Sequence, residues 1–394
     1  MGIINDEKSL DKVLEKYYYR YNRYNENVLI QLGKTIKEIG EMKPSEVHRL
    51  SQQIKYSKNI DDLIKELSDI TDKSVQEIKE LFDKFAKENT EFSTAYKDAI
   101  NYTKYEDNIR LQRMIESISN LTSNTMRNIT NTSAIGFYYK DTFGNVKFRD
   151  LKSTYLNLID EAVYNVSTGT IDYQSAMRKV LNSLADSGIR THEDKIGYTS
   201  GYSRRLDSSV RQNILEGLRR VNNDIQKQIG EEIGADGIEI SAHFPCAFDH
   251  LDIQGKRYTK DEFEELNDSL DRPIGTYNCR HFTMQIILDV DEPMYNPSRL
   301  YKWRKQSYET FEYEGKKYNA YEATQVQRKI ETAIRKQKDR QIIARASGDT
   351  DGVRIAQQRI TQLTAEYNNF SRVAGLPTYK NRLSVSGYRR VSTK

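Results

Sequence analysis

The chain has 394 residues, of which 37% are hydrophobic and 30% charged, and its 61 basic and 57 acidic residues leave a formal charge of +4. That near-balance, mixed along the chain, excludes a protein drawn to DNA or a membrane surface by a strong net field, and no apolar run reaches the ~18 residues that cross a bilayer. Two cysteines in 394 residues exclude a disulfide framework.

The length gives room for two or three domains. The opening MGIINDEKSLDKV lacks the basic and apolar regions of a signal peptide, so a protein made and kept in the cytosol is expected. From about Ser9 to Ser133 the periodicity is helical. SLDKVLEKYYYRYNRYNENVLIQLGKTIKEIG has apolar positions three and four apart, with tyrosines on the buried stripe. Such Tyr-rich amphipathic helices also suit a protein interface. Pro44 and Ser45 signal a helix start. KNIDDLIKELSDIT and TDKSVQEIKELFDKFAKENTEF read as two shorter helices, the second capped by Asp72 or Ser74.

At GFYYKDTFGNVKFRDL (136–151) the period becomes alternating, and FGN predicts a β-hairpin turn. Helices resume in STYLNLIDEAVYNVSTG, DYQSAMRKVLNSLADSG and LDSSVRQNILEGLRRVNNDIQKQIGEEIG, each stopped near a glycine. GIEISA is a short strand. Glu314-Gly315 predicts a second hairpin, and YEATQVQRKIETAIRKQKDRQIIARA and DGVRIAQQRITQLTAEYNNFSRVAG form an antiparallel helical hairpin about SGDTDG. With Glu331, Asp339 and Glu366 among its basic residues, that pair is expected to show a solvated face rather than a DNA-binding one. The fold class is therefore α+β and predominantly α-helical: an N-terminal helical bundle (1–134), a central small β core with long helices (135–300), and a C-terminal β-hairpin plus helical hairpin (301–394).

The chemistry-bearing residues gather in two stretches. SAHFPCAFDH (241–250) and NCRH (278–281) hold three of the five histidines, His243, His250 and His281, and both cysteines, Cys246 and Cys279. The order H-x2-C-x3-H, x28, C-x-H offers five ligands for the four places of a tetrahedral zinc, although it is not a standard finger spacing. NCRHFTMQIIL suits a strand, which would project Cys279 and His281 from one face. His243 ends the GIEIS strand, and His250 lies across a loop containing Pro245. Two other readings stay open. The residues could form a hydrogen-bonded β core with inert buried thiols. Alternatively, Cys279 or Cys246 could be a nucleophile activated by His243 or His250, with Asp249 as orienter. No HExxH, GxxxxGK[ST] or GxGxxG-helix motif accompanies them, which weighs against an enzyme.

SAH at 241–243, H-x3-QGK from His250 through Gln254, Gly255 and Lys256, and NCRH at 278–281 resemble the signature of the phage minor capsid protein 2 family, relatives of the Mu F-like head morphogenesis proteins. RRLDSSVRQNI (204–214) and YEATQVQRKIE (321–331) extend the likeness over about Gly136 to Arg382, with no matching motif in the N-terminal helices. FPCAF and Ile253 depart from the family pattern, which leaves His243, His250, Cys279 and His281 as the recurrent set, with Cys246 as an alternative ligand. The resemblance implies a non-enzymatic virion protein, assembled in the host cytoplasm and present in low copy near the portal vertex. It would act in head assembly or DNA packaging and delivery, with the portal and other capsid proteins as partners, packaged DNA as a neighbour, and no membrane. A structural zinc on those four residues would staple the β core.

Overall fold

The computed structural model describes residues 7–92, 105–141, 143–170, 172–192, 203–276 and 279–392. Among these, helices α1 (Glu7–Gly40), α2 (Arg49–Phe92) and α3 (Ile109–Ile129) come first. The hairpin β1 (Ile135–Lys140) and β2 (Val146–Asp150) then leads into α4 (Leu151–Ser167) and α5 (Tyr173–Ser187), followed by β3 (Arg190–Thr191) and α6 (Leu206–Glu232). A second β unit holds β4 (Gly237–Ile240), α7 (Phe248–Leu251), β5 (Arg257–Thr259), α8 (Lys260–Ser269) and β6 (Thr283–Ile286). Last come α9 (Pro297–Tyr308), the hairpin β7 (Thr310–Tyr313) and β8 (Lys316–Asn319), and the paired helices α10 (Ala320–Ala346) and α11 (Thr350–Val373). The architecture is predominantly α-helical α+β, as expected.

One apolar core runs from Leu14 to Ile225 and also takes in Ile342, Ile343 and Val385. Its tyrosines are internal. Tyr17, Tyr21 and Tyr24 on α1 are fully buried. Tyr24 donates to the Leu63 carbonyl (3.1 Å) and Tyr155 shares a hydrogen with Thr35 (2.6 Å), so these phenols bring ring area into the core while finding polar partners. The tyrosine stripe of α1 is therefore a packing surface, and it gives no support to an N-terminal docking face.

The two helices expected within 58–92 are one. Thr71 and Ser74 donate to the Leu67 and Ile70 carbonyls (both 2.8 Å), four residues back, so neither the polar pair nor Asp72 interrupts the helix. Arg20 of α1 bonds Ser74 (2.9 Å) and Glu77 (2.7 Å), pinning α2 at the predicted break. Pro44 and Ser45 form a single 3-10 turn ahead of α2.

Both hairpins form as read. β1 and β2 pair antiparallel, and Asp141 Oδ1 accepts from the backbone N–H groups of Phe143 and Asn145 (both 2.9 Å) to close the FGN turn. The three-stranded sheets have orders β2-β1-β3 and β5-β4-β6. The C-terminal helical hairpin also forms, but two of its acidic residues leave the solvated face. Asp339 is fully buried against Arg205 (2.7 Å), and Glu331 accepts from Tyr367 (3.2 Å). The reason is that α10 packs against α1 and α5 as well as α11, so it has few wet positions. Glu366 stays exposed.

Candidate metal centre

β4 is the spine of the site. It pairs with β5 and with β6, Ile240 facing Thr283, and the loops beyond its end carry the histidines and cysteines. Cys279 and His281 precede β6 rather than lying on it, which corrects the strand-face expectation. They still converge, because the Phe282 N–H donates to Ser241 Oγ and the Ser241 N–H donates to the Phe282 carbonyl (both 2.9 Å), clamping the lead-in beside the end of β4. Asn278 of the NCRH motif lies outside the described residues.

Five side chains make two groups that share His281: His250, Cys279 and His281, all buried, and His243, Cys246 and His281. In the first, Cys279 Sγ lies 3.7 Å from His250 Nδ1 and 3.5 Å from His281 Nδ1. A tetrahedral zinc with Zn–S and Zn–N bonds of about 2.3 and 2.05 Å sets adjacent S···N edges of about 3.6 Å. In the second, Cys246 Sγ lies 3.7 Å from His281 Nε2, and the His243 and His281 ring centroids are 4.5 Å apart. Of the four ligands named from sequence, three stand together, and His243 stands with Cys246 across the His281 ring.

The surrounding polar groups choose between the two sides. The His243 backbone N–H donates to Gln254 Oε1 (3.0 Å), fixing the orientation of that amide, so the same oxygen accepts from His281 Nε2–H (3.2 Å). His250 Nε2–H donates to the Arg272 carbonyl (2.7 Å). Both imidazoles therefore turn an Nδ1 lone pair toward Cys279, the arrangement that outer partners impose on metal-ligating histidines. His243 Nδ1–H donates to the Pro245 carbonyl (3.1 Å), which leaves its Nε2 lone pair free to bind.

Protonation follows the same division. Burial pushes the Cys246 thiol up to about 12, helped by Asp249 and Cys279. Burial also works against a Cys279 thiolate, but a protonated His250, itself raised despite burial by the same contact, and the backbone of Gly275 and His281 outweigh it and lower that thiol, so a proton on the His250 Nδ1 edge stands where a cation would bind. Burial, reinforced by the neighbouring histidines, lowers His281 to about 2, and burial with Arg280 lowers His243 to about 4, so both are neutral donors at pH 7.

The nucleophile reading meets the same residues. Cys279 and His250 are 3.7 Å apart, and Asp249, 3.8 Å from His250, is drawn onto Arg272 at 2.8 Å. Cys279 and Cys246 are 2% and 1% exposed, so an attacking sulfur would have no access to a substrate. The arrangement suits holding a cation inside a fold better than turning over a ligand.

Gln254 of the QGK motif orients both His243 and His281, a role that no spacing in the sequence signals. Gly255 beside it is also required. Its φ is +69°, and a Cβ there would lie 2.6 Å from Leu300 Cδ2 of α9. The Arg272 contribution comes from a carbonyl, which no residue pattern could reveal.

Comparison with curated proteins and with solved structures found no match. The family profile described as phage minor capsid protein 2 matches residues 5–371, so the likeness extends through the N-terminal helices that carried no recognisable motif. With nearly its whole length covered, from α1 through the His/Cys centre to α11, the chain belongs to the phage minor capsid protein 2 family and is a structural, minor component of a phage head.

Proposed function

We propose that this protein sits in low copy at the portal vertex of the virion, contacts the portal and other head proteins, and acts in head assembly or in DNA packaging and delivery. The observation that carries the reading is family membership over residues 5–371. A protein partner is further supported on the outer side of the second β unit, where Phe248 of α7 and Tyr308 of α9 pair at 5.4 Å with both rings substantially exposed, and Tyr301 stands 72% exposed nearby in sequence. Exposed aromatic side chains of this kind are enriched in protein interfaces. The test is cross-linking mass spectrometry on gradient-purified particles. Cross-links from Lys302 and Lys305 of α9 to the portal protein are expected. Absence of the protein from particles overturns the head role; presence at shell stoichiometry without portal cross-links overturns the portal position.

Within that role the His/Cys centre holds one structural zinc. His250, Cys279 and His281 bind it where they stand, and His243 fills the fourth place by turning its side chain round the His281 ring, with Cys246, on the same far side, the alternative ligand. Bound zinc would cross-link the loops at the end of β4, and four protein ligands would leave no open position for catalysis. The small cluster of Ile240, Ile274 and Cys279 that backs the site is little apolar area for three short strands, so a staple there has stability to add. Elemental analysis of the full chain expressed with zinc should find about one zinc per chain, and Cys279→Ser should lose it. Less than about 0.2 zinc per chain, with Cys279→Ser as stable as the parent, leaves the hydrogen-bonded core alone. Loss of zinc in Cys246→Ser with retention in His243→Ala would give the fourth place to Cys246.

A further inference from the structure

A cavity of about 940 Å³ opens between the β1-β2 hairpin, α5 and α10, well away from the His/Cys centre in sequence. Its size falls in the range of roughly 300 to 1,000 Å³ typical of ligand sites. Six of its lining residues are Lys or Arg: Lys140 at the end of β1, Arg178 and Lys179 on α5, Arg190 on β3, and Lys336 and Arg340 on α10. Among the described residues Asp186 is the one acidic member of the lining.

Two of the six cations are neutralised in place. Arg340 makes a two-pronged ion pair with Asp186, and Arg178 makes one with Asp349 at the start of α11, its Nη2 2.7 Å from Oδ1. Both are thereby held as rigid walls. The other four are not. Among the described residues no carboxylate lies within ion-pair distance of Lys140, Lys179, Arg190 or Lys336. Arg190 is the telling one, because it is half-buried and fixed rather than free to extend into water. Its Nε–H donates to the Ser187 carbonyl (3.0 Å) and its Nη1–H to the Ser203 carbonyl (2.8 Å), neutral acceptors that leave its charge uncompensated. Burial, and then repulsion from Arg205, lowers its pKa. A positioned, half-buried guanidinium that no carboxylate meets costs stability unless an anion completes it, and Lys140, Lys179 and Lys336 share its lining. Ser175 and Ser183 on α5 and Asn182 between them add neutral groups able to bond oxyanion oxygens.

We infer that this cavity binds phosphate groups, with Arg190 as the fixed anchor and Lys140, Lys179 and Lys336 as the converging charges. The same chemistry has two sources, the backbone of duplex DNA or a free polyphosphate. Guanidinium and ammonium groups lining one cavity from four elements suit several phosphate oxygens at once rather than a single carboxylate. The inference rests on the cavity alone and does not depend on the portal position or on zinc.

The test uses the full chain and the triple variant Lys140→Gln, Lys179→Gln, Lys336→Gln, with Lys305→Gln, Lys316→Gln, Lys317→Gln on exposed surface elsewhere as the charge-matched control. Circular dichroism melts establish that both variants fold. Fluorescence anisotropy with a duplex oligonucleotide is measured across a salt series, and tripolyphosphate binding is measured by calorimetry. If DNA is the occupant, the cavity variant flattens the slope of log K against log salt by about 2 to 3, one phosphate contact being worth about 0.9, while the control changes it less. If a free polyphosphate is the occupant, tripolyphosphate affinity falls at least about tenfold for each lysine that bonds it and duplex binding is unaffected. Binding of neither probe, or equal losses in the cavity variant and the control, overturns the proposal. Arg190→Lys in the folded chain gives an independent reading: it keeps the charge but not the fork, and should weaken whichever probe binds.

Discussion

Replacing Asp207 with alanine should destabilise the protein far more than any surface ion pair does. Asp207 lies in the first turn of α6, is 2% exposed, and accepts from Arg335 of α10 at 2.6 Å and from Asn22 of α1 at 3.2 Å. One carboxylate thus joins three helices. Beside it Arg205 pairs with the fully buried Asp339 at 2.7 Å, so two guanidinium and two carboxylate groups share one dry site. Asp207→Ala leaves Arg335, only 14% exposed, without its anion, and breaking one side of a buried pair costs about 3–5 kcal/mol. The comparison is Glu231→Ala, whose partner Arg110 is 3.2 Å away with side chains 67% and 45% exposed; such a pair contributes about 0–1 kcal/mol. Urea unfolding followed by far-UV circular dichroism measures both. Burial works to raise the Asp207 pKa, but Arg335 and Arg205 outweigh it and hold the group below the usual carboxylate range. A depressed carboxylate contributes stability above its unfolded pKa of about 3.9 and loses it as pH falls through the folded value, so parent and variant should converge only below about pH 4. An Asp207→Ala loss within about 1 kcal/mol of the Glu231→Ala loss would refute the view that this cluster locks α1, α6 and α10 together.

Other substitutions probe the remaining elements. Gly255→Ala should cost about 1–3 kcal/mol, from the positive φ and the 2.6 Å approach to Leu300; adding Leu300→Ala should remove the clash but not the backbone strain, and an effect abolished by the double change would disprove the φ contribution. Glu314 (φ +50°) and Gly315 (φ +75°) make a two-residue hairpin turn with both central residues left-handed, so Glu314→Asn should raise the unfolding free energy by roughly 0.5 kcal/mol; a lower urea midpoint would contradict this. Lys338 is lowered to about 8, by burial first and then by Arg335. A lysine whose folded pKa is depressed weakens the fold below that value and ceases to do so as pH rises toward its unfolded pKa of about 10.4. The stability advantage of Lys338→Met over the parent should therefore shrink between about pH 8 and about 10. That difference is the readout, because Cys246, raised to about 12, pulls the parent's own curve the opposite way above pH 9.

Helix periods, both hairpin turns and the glycine stops depend on neighbours within a few residues, and these were legible from the chain alone. So was the gathering of the His/Cys set, since SAH, QGK and NCRH are short motifs with fixed internal spacing. The break expected in α2 fails because Thr71 and Ser74, polar residues that commonly end helices, bond back to their own helix while Arg20 braces them from α1. Asp339 and Glu331 look like wet-face charges in sequence, yet their counterparts Arg205 and Tyr367 are 134 and 36 residues away. At the candidate centre the sequence supplied the donor atoms but not their direction. That direction was decided by Gln254, by the Arg272 carbonyl and by the Ser241–Phe282 clamp. The cationic cavity was hidden for the same reason. Lys140, Lys179, Arg190 and Lys336 belong to four elements whose local sequences are ordinary, and only their packing takes them out of reach of the acidic residues that nearly balance them along the chain. Local pattern determines which elements form and which donors are carried; which charges end up paired, buried or facing one cavity is a property of contacts between residues far apart in the chain, and the tertiary structure alone decides it.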